Sequence, residues 1–211
     1  GVGFQGSYGQ KRLDQTKLYF EDMLTPFGFT GVTQEVFYTQ NLNVNYFDVN
    51  AGILYSGSTN GDNNFYIGAS MYHINRPKES FLGADWNIGT RTTLHAGGYF
   101  PVSDIITLHT SGIFQIQNQA TETVIGAAAA AAIDPTSLEP SNVYFGSWYR
   151  FGDALIPYIG LEFAGFRIGA TYDINMSSLK TASQSRGGME LSLIYELRPY
   201  EGGRGIPCPK F

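Results

Sequence analysis

The 211-residue chain is 43% hydrophobic and 15% aromatic, yet only 15% charged, against roughly 25% in ordinary globular chains. Its net charge of −5, with no basic stripe, argues against a nucleic-acid partner. A mean hydropathy of −0.13 is too low for a helical membrane protein, since a spanning helix needs about 20 consecutive apolar residues. The nearest approach, Val124 to Ile133, is too short and stops at Asp134-Pro135.

Alternation of apolar and polar residues recurs along the chain and predicts β-strands. The first clear case is Tyr46 to Tyr55, where Phe47, Val49, Ala51, Ile53 and Tyr55 share one face and Asp48, Asn50 and Gly52 the other. After a turn at Gly57 to Asp62, Phe65, Ile67, Ala69 and Met71 alternate with Tyr66, Gly68, Ser70 and Tyr72, which predicts a hairpin. Beyond Pro101, Ile106, Leu108, Thr110, Gly112, Phe114 and Ile116 oppose Thr107, His109, Ser111, Gln115 and Gln117. Six alanines, Ala127 to Ala132, break the pattern and have low β propensity; a tight strand contact and a run that is not true alanine sequence are both open readings, and no function is read into it. Then Leu155, Ile159, Leu161 and Phe163 oppose Tyr158, Gly160 and Glu162. Phe166, Ile168, Ala170, Tyr172 and Ile174 oppose Arg167, Thr171 and Asp173. Met189, Leu191, Leu193, Tyr195 and Leu197 oppose Glu190, Ser192 and Glu196.

Roughly ten such segments occur, many near the 9–11 residues a tilted membrane strand needs. A membrane strand must offer lipid only every second side chain, so its mean hydropathy stays near neutral while aromatics gather at the interfaces. The expected fold is therefore all-β, an antiparallel transmembrane β-barrel, with the apolar stripes toward lipid. Closure is expected because an open edge in lipid leaves backbone groups unpaired. Glu162, Arg167, Asp173 and Glu190 lie opposite the stripes and are expected to be lumen charges. Short linkers (Gly152-Asp153, Ala164-Gly165) alternate with longer ones (Arg76 to Trp86, Asp134 to Ser141), as expected if turns gather at one end and loops at the other.

Sites of chemistry are not expected. His73, His95 and His109 have no paired ligand spacing, so no metal or other cofactor is implied. No G-x-S-x-G elbow is present, and Ser111 lies near His109 only as any strand would place them. Cys208 stands in a Pro-flanked tail that does not match a lipidation signal. The start, GVGFQGSYGQKR, carries no signal-peptide pattern, so a removed signal or a longer chain is expected.

Six stretches stand out: GVGFQGSYGQ at the start, YFDVNAGILYS from Tyr46, NNFYIGASMYHINRPKESF from Asn63, VYFGSWYRFGDALIPYIGLEFAGFRIGATYDINMSSL from Val143, GGMELSLIYEL from Gly187, and the closing CPKF from Cys208. Together they resemble the PorP/SprF family of outer-membrane proteins of the type IX secretion system. The resemblance covers nearly the whole chain in matching order. It implies roughly the C-terminal two-thirds of a barrel of about fourteen strands. Residues 1–197 would then be barrel strands and loops, and 198–211 a periplasmic tail. It also implies a non-enzymatic outer-membrane component whose partners are secretion-machinery proteins and a large secreted adhesin or cargo protein. The Tyr149 to Ala154 stretch looks like a family motif, and Tyr149, Arg150 and Asp153 are candidate partner contacts. The tail residues Cys208, Pro209, Lys210 and Phe211 are candidates for docking a machinery partner. The alternatives are a passive porin-like channel for small solutes and, less compatible with the apolar stripes, a secreted soluble β-sandwich.

Overall fold

The computed structural model describes residues 1–14, 17–34, 42–59, 63–81, 85–134, 141–178, 180–183 and 186–196. The fold is all-β. Strands run over Val2–Arg12 (β1), Leu24–Thr25 (β2), Gly28–Phe29 (β3), Asn43–Thr59 (β4), Asn63–Tyr72 (β5) and Arg91–Pro101 (β6). They continue over Ile106–Gln117 (β7), Ala120–Ala132 (β8), Asn142–Arg150 (β9), Ala154–Phe163 (β10), Phe166–Asn175 (β11) and Arg186–Tyr195 (β12). One four-residue helix, Lys180–Ser183 (α1), and a 3-10 turn at Glu21–Met23 are the other elements among the described residues. Among the described residues no helix is long and apolar enough to cross a membrane. Ten strands form one sheet in the order β1-β4-β5-β6-β7-β8-β9-β10-β11-β12. Such a sheet is consistent with a β-barrel fragment, and its order is open, with β1 and β12 at its ends.

By compactness the chain divides into two units, one of Gly1–Gly3, Gly52–Ser70 and Thr92–Phe211, the other of Phe4–Ala51 and Met71–Arg91. In the first unit β7 to β11 pair in regular antiparallel register, and the β11–β12 pairing shifts between Tyr172 and Ile174. Thr107 to Gln117 pair with Ala130 to Ala120, Val124 to Ala132 with Arg150 to Asn142, and Leu161 with Val143 and Ile168. That register puts every second residue on a common face. One face carries Phe114, Ile125, Phe145, Ile159, Leu161, Ile168, Leu191 and Leu193, and all of these are exposed. The opposite face carries buried Thr93, Tyr144 and Glu162. Among the described residues no large side chain is fully buried, and on this sheet the exposed face is the apolar one, so burial is inverted.

The alanine run is a full strand. Ala128 and Ala130 lie on the polar face and are 3% and 5% exposed, while Ala127, Ala129 and Ala131 lie on the apolar face. Small side chains are needed here because larger ones reach across β8 from both sides. Trp148 on β9 donates its indole N–H to Ser111 Oγ on β7 at 2.7 Å, and the His109 and Tyr144 rings meet at 5.6 Å. A Cβ on Gly146 would strike the Cβ of Ala128, and one on Gly126 would strike the Trp148 ring. Between β10 and β11 the paired Gly160 and Gly169 leave room for the Tyr158 ring, which lies where both Cβ atoms would be.

Two expectations change. The strand expected to end near Tyr55 runs on through Gly57 to Thr59, because the Phe65 ring fills the space beside Gly57. Linker length does not sort by end: the connection across Asp134 to Ser141 and the two-residue turn Ala164–Gly165 lie at one end of the antiparallel order, and Gly152-Asp153 at the other. Ala164 and Gly165 both have positive φ, +49° and +79°, as a two-residue hairpin turn with the right twist requires.

In the second unit, the segment after β5 folds back onto β4. Ile74 N–H donates to the Val49 carbonyl at 3.0 Å, and the Asn75 amide bonds the Phe47 carbonyl (2.6 Å) and the Val49 N–H (3.1 Å). His73 takes a left-handed conformation, φ +57°, fixed by its N–H bonding Asn50 Oδ1 at 2.9 Å. Before β4, β2 and β3 form a small hairpin that presents a fully exposed Phe27, and Tyr19 packs edge-on against Phe29.

Candidate functional site

The polar face of the first unit holds three groups of side chains along the strands. Toward one end, Glu162 lies directly opposite Arg167, with Asn142 and Tyr144 on the strand to its other side. One carboxylate oxygen, Oε2, accepts from Asn142 Nδ2 (3.2 Å), from the Tyr144 hydroxyl, and from Arg167 Nη2 (3.2 Å). The Arg167 guanidinium also lies 4.9 Å from the Tyr144 ring centre. Burying a carboxylate is costly unless a cation and hydrogen bonds compensate, and both are present.

At the other end of the same strands, Arg150 is held by three acids. Its Nη1 bonds Asp153 and Asp173, each at 3.0 Å, and its Nε lies 3.4 Å from Glu122. Gln115 donates to Glu122 at 2.9 Å and accepts from buried Thr93 at 3.3 Å, so the network spans β6 to β11. Three carboxylates around one guanidinium leave this end acidic.

Between these groups lie rings. Tyr99 stacks on His109 at 6.0 Å, His109 meets Tyr144, and Tyr158 meets both Tyr144 (6.4 Å) and Trp148 (5.7 Å). The sequence alternation placed His109 and Tyr158 opposite the apolar stripes but gave no sign that rings meet across a strand of alanines.

The residues named from the sequence fall as follows. Glu162 and Arg167 pair with each other, Asp173 joins Arg150, and Glu190 stands exposed on β12 opposite Thr171. Tyr149 lies on the apolar face, 5.0 Å from Phe151. Cys208, Pro209, Lys210 and Phe211 lie outside the described residues, as does Leu197. The Ser111 oxygen accepts from the Trp148 indole N–H. In the second unit His73 Nδ1 lies 3.0 Å from buried Asp48, and Lys11 pairs with Glu79. Among the described residues no group of His, Cys, Asp and Glu is arranged to hold a metal ion.

Outside the strands, Asp22 closes the loop after the β2–β3 hairpin. Its carboxylate accepts from the Gln34 N–H (2.7 Å) and the Thr33 hydroxyl (2.8 Å), which hold its pKa below the usual carboxylate value.

Neither the curated proteins nor the solved structures contain a match to this chain. A family comparison does give one: the type IX secretion system membrane protein family PorP/SprF matches residues 1–195, covering every strand of the sheet. With that match over most of its length and an all-β sheet whose exposed face is apolar, the chain belongs to the PorP/SprF family of type IX secretion system membrane proteins.

Proposed function

We propose that the ten strands are part of a closed β-barrel in the outer membrane, where it supports export or surface attachment of a large secreted adhesin or cargo protein. The observation that carries the membrane part is the inverted burial: Ile159, Ile168, Leu191 and Leu193 are exposed while Glu162 and Tyr144 are buried. A water-soluble sheet exposing so long an apolar face would aggregate, whereas lipid solvates it. Family membership supports the secretion part.

In this reading Glu162, Arg167, Asp173 and Glu190 face the lumen. Residues 1–197 form the barrel and its connections, and 198–211 a periplasmic tail. Cargo and machinery bind through connections that the strands only position. The acidic end around Arg150, with Asp153 in its turn and Tyr149 beside it, contacts a machinery partner, as does the tail from Cys208 to Phe211. The protein works by protein–protein contact and not by catalysis.

The test is a tagged pull-down of the full-length protein from native outer membranes in mild detergent, read by mass spectrometry. Recovery of other secretion-machinery proteins or one large surface adhesin supports the reading. Recovery of the barrel alone, with steady conductance in a planar bilayer, replaces it with a passive channel.

A further inference from the structure

A cavity of about 230 Å³ opens on the polar face of the first unit, between the Arg150 and Glu162 groups. At its floor Ala128, paired with Gly146 on β9, lies buried beneath the rings. Its walls are rings: Tyr66, Tyr99, His109, Tyr144, Trp148 and Tyr158 all border it. Hydrogen-bonding groups stand among them, namely Ser111 and the Arg167 guanidinium.

The chemistry of these walls selects a ligand class. Ring faces carry partial negative charge, so they attract the weakly positive C–H groups of a saturated ring as well as cations. A cationic ligand is disfavoured, because Arg167 already sits over the Tyr144 face. An anionic ligand is disfavoured too, because Glu162 already occupies that guanidinium. What remains is a neutral molecule with apolar C–H faces and hydroxyls at its edges. The volume lies below the range of roughly 300–1,000 Å³ usual for drug-sized ligands, which limits the occupant to about one ring. We propose that this basin binds one neutral hexopyranose unit of a glycan, stacked against the tyrosine and tryptophan rings and hydrogen-bonded through Ser111 and Arg167. This goes beyond the secretion reading and does not depend on which cargo is exported.

The test is saturation-transfer NMR on the full-length protein in detergent micelles, with glucose, galactose, mannose and N-acetylglucosamine as separate probes. The expected result is saturable transfer to the ring C–H protons of at least one sugar; an acetylated or a plain hexose as the better probe distinguishes a wall-type glycan from other sources. Ala128→Met, which fills the floor, is expected to abolish the transfer. Should that variant fail to fold, Tyr99→Leu keeps apolar bulk but removes a ring face, and is expected to weaken binding about fivefold. No transfer from any of the four sugars overturns the proposal. So does transfer that survives Ala128→Met in a folded protein, or an unchanged affinity in Tyr99→Leu.

Discussion

Glu162 shows how one residue can be both expensive and indispensable. Glu162 is 6% exposed, and three donors converge on one of its carboxylate oxygens. Removing one partner of a buried pair leaves the other charge uncompensated, which costs about 3–5 kcal/mol. Glu162→Ala is therefore expected to lower the melting temperature in detergent sharply. Glu162→Ala with Arg167→Met is expected to recover most of that loss, since both charges are then gone. An unchanged melt for the single variant contradicts a stabilising role for the pair. Asp22 makes a different prediction, because its pKa is lowered in the fold by the Gln34 N–H and the Thr33 hydroxyl. A depressed pKa means the contribution is present above the unfolded value of about 4 and is lost as pH falls through the folded one. The protection of the Gln34 amide, measured against its unstructured-peptide exchange rate, should fall below about pH 4, and Asp22→Asn should remove that change in protection.

The strand of alanines, β8, carries the clearest element-level prediction. Alternate residues of one run have opposite surroundings: Ala128 is buried beneath the rings, and Ala129 lies on the apolar face opposite Phe145 and Leu108. Ala128→Leu is expected to destabilise by about 1–3 kcal/mol through overpacking, and Ala129→Leu to stay within about 0.5 kcal/mol. Equal effects in a denaturant titration contradict this register. The same strand marks how far the sequence could be read. Period-two alternation in β4, β7, β10, β11 and β12 located those strands and their two faces, since each alternates in side-chain polarity. An alanine run carries no polarity, so its faces appear only through the rings of His109, Trp148 and Tyr144 on neighbouring strands. The Arg150 network joins β8, β9 and β11 across the sheet, and the Asp22 clamp joins residues eleven or more apart, so linear spacing did not reveal either. Linker lengths misled, because in an antiparallel order the end a connection lies at depends on strand parity and not on its length.

For the molecule as a whole, what governs is the solvent of the apolar face. Water on that face would make Ile159, Ile168, Leu191 and Leu193 a liability; lipid makes them the stabilising surface. Ile159→Arg is accordingly expected to cost about 2–4 kcal/mol in bilayers if it lies near the midplane, with smaller penalties at Leu155 and Phe163 toward the strand ends. Urea unfolding from vesicles measures these differences. The decisive measurement is spin-label scanning along β10, one nitroxide at a time from Leu155 to Phe163, in the full-length protein in lipid bilayers. Membrane embedding predicts that accessibility to oxygen peaks at 155, 159, 161 and 163 and drops at 158, 160 and 162, with the outward positions shielded from a water-soluble nickel chelate. Outward positions open to the nickel chelate, or no alternation at all, would contradict a transmembrane sheet.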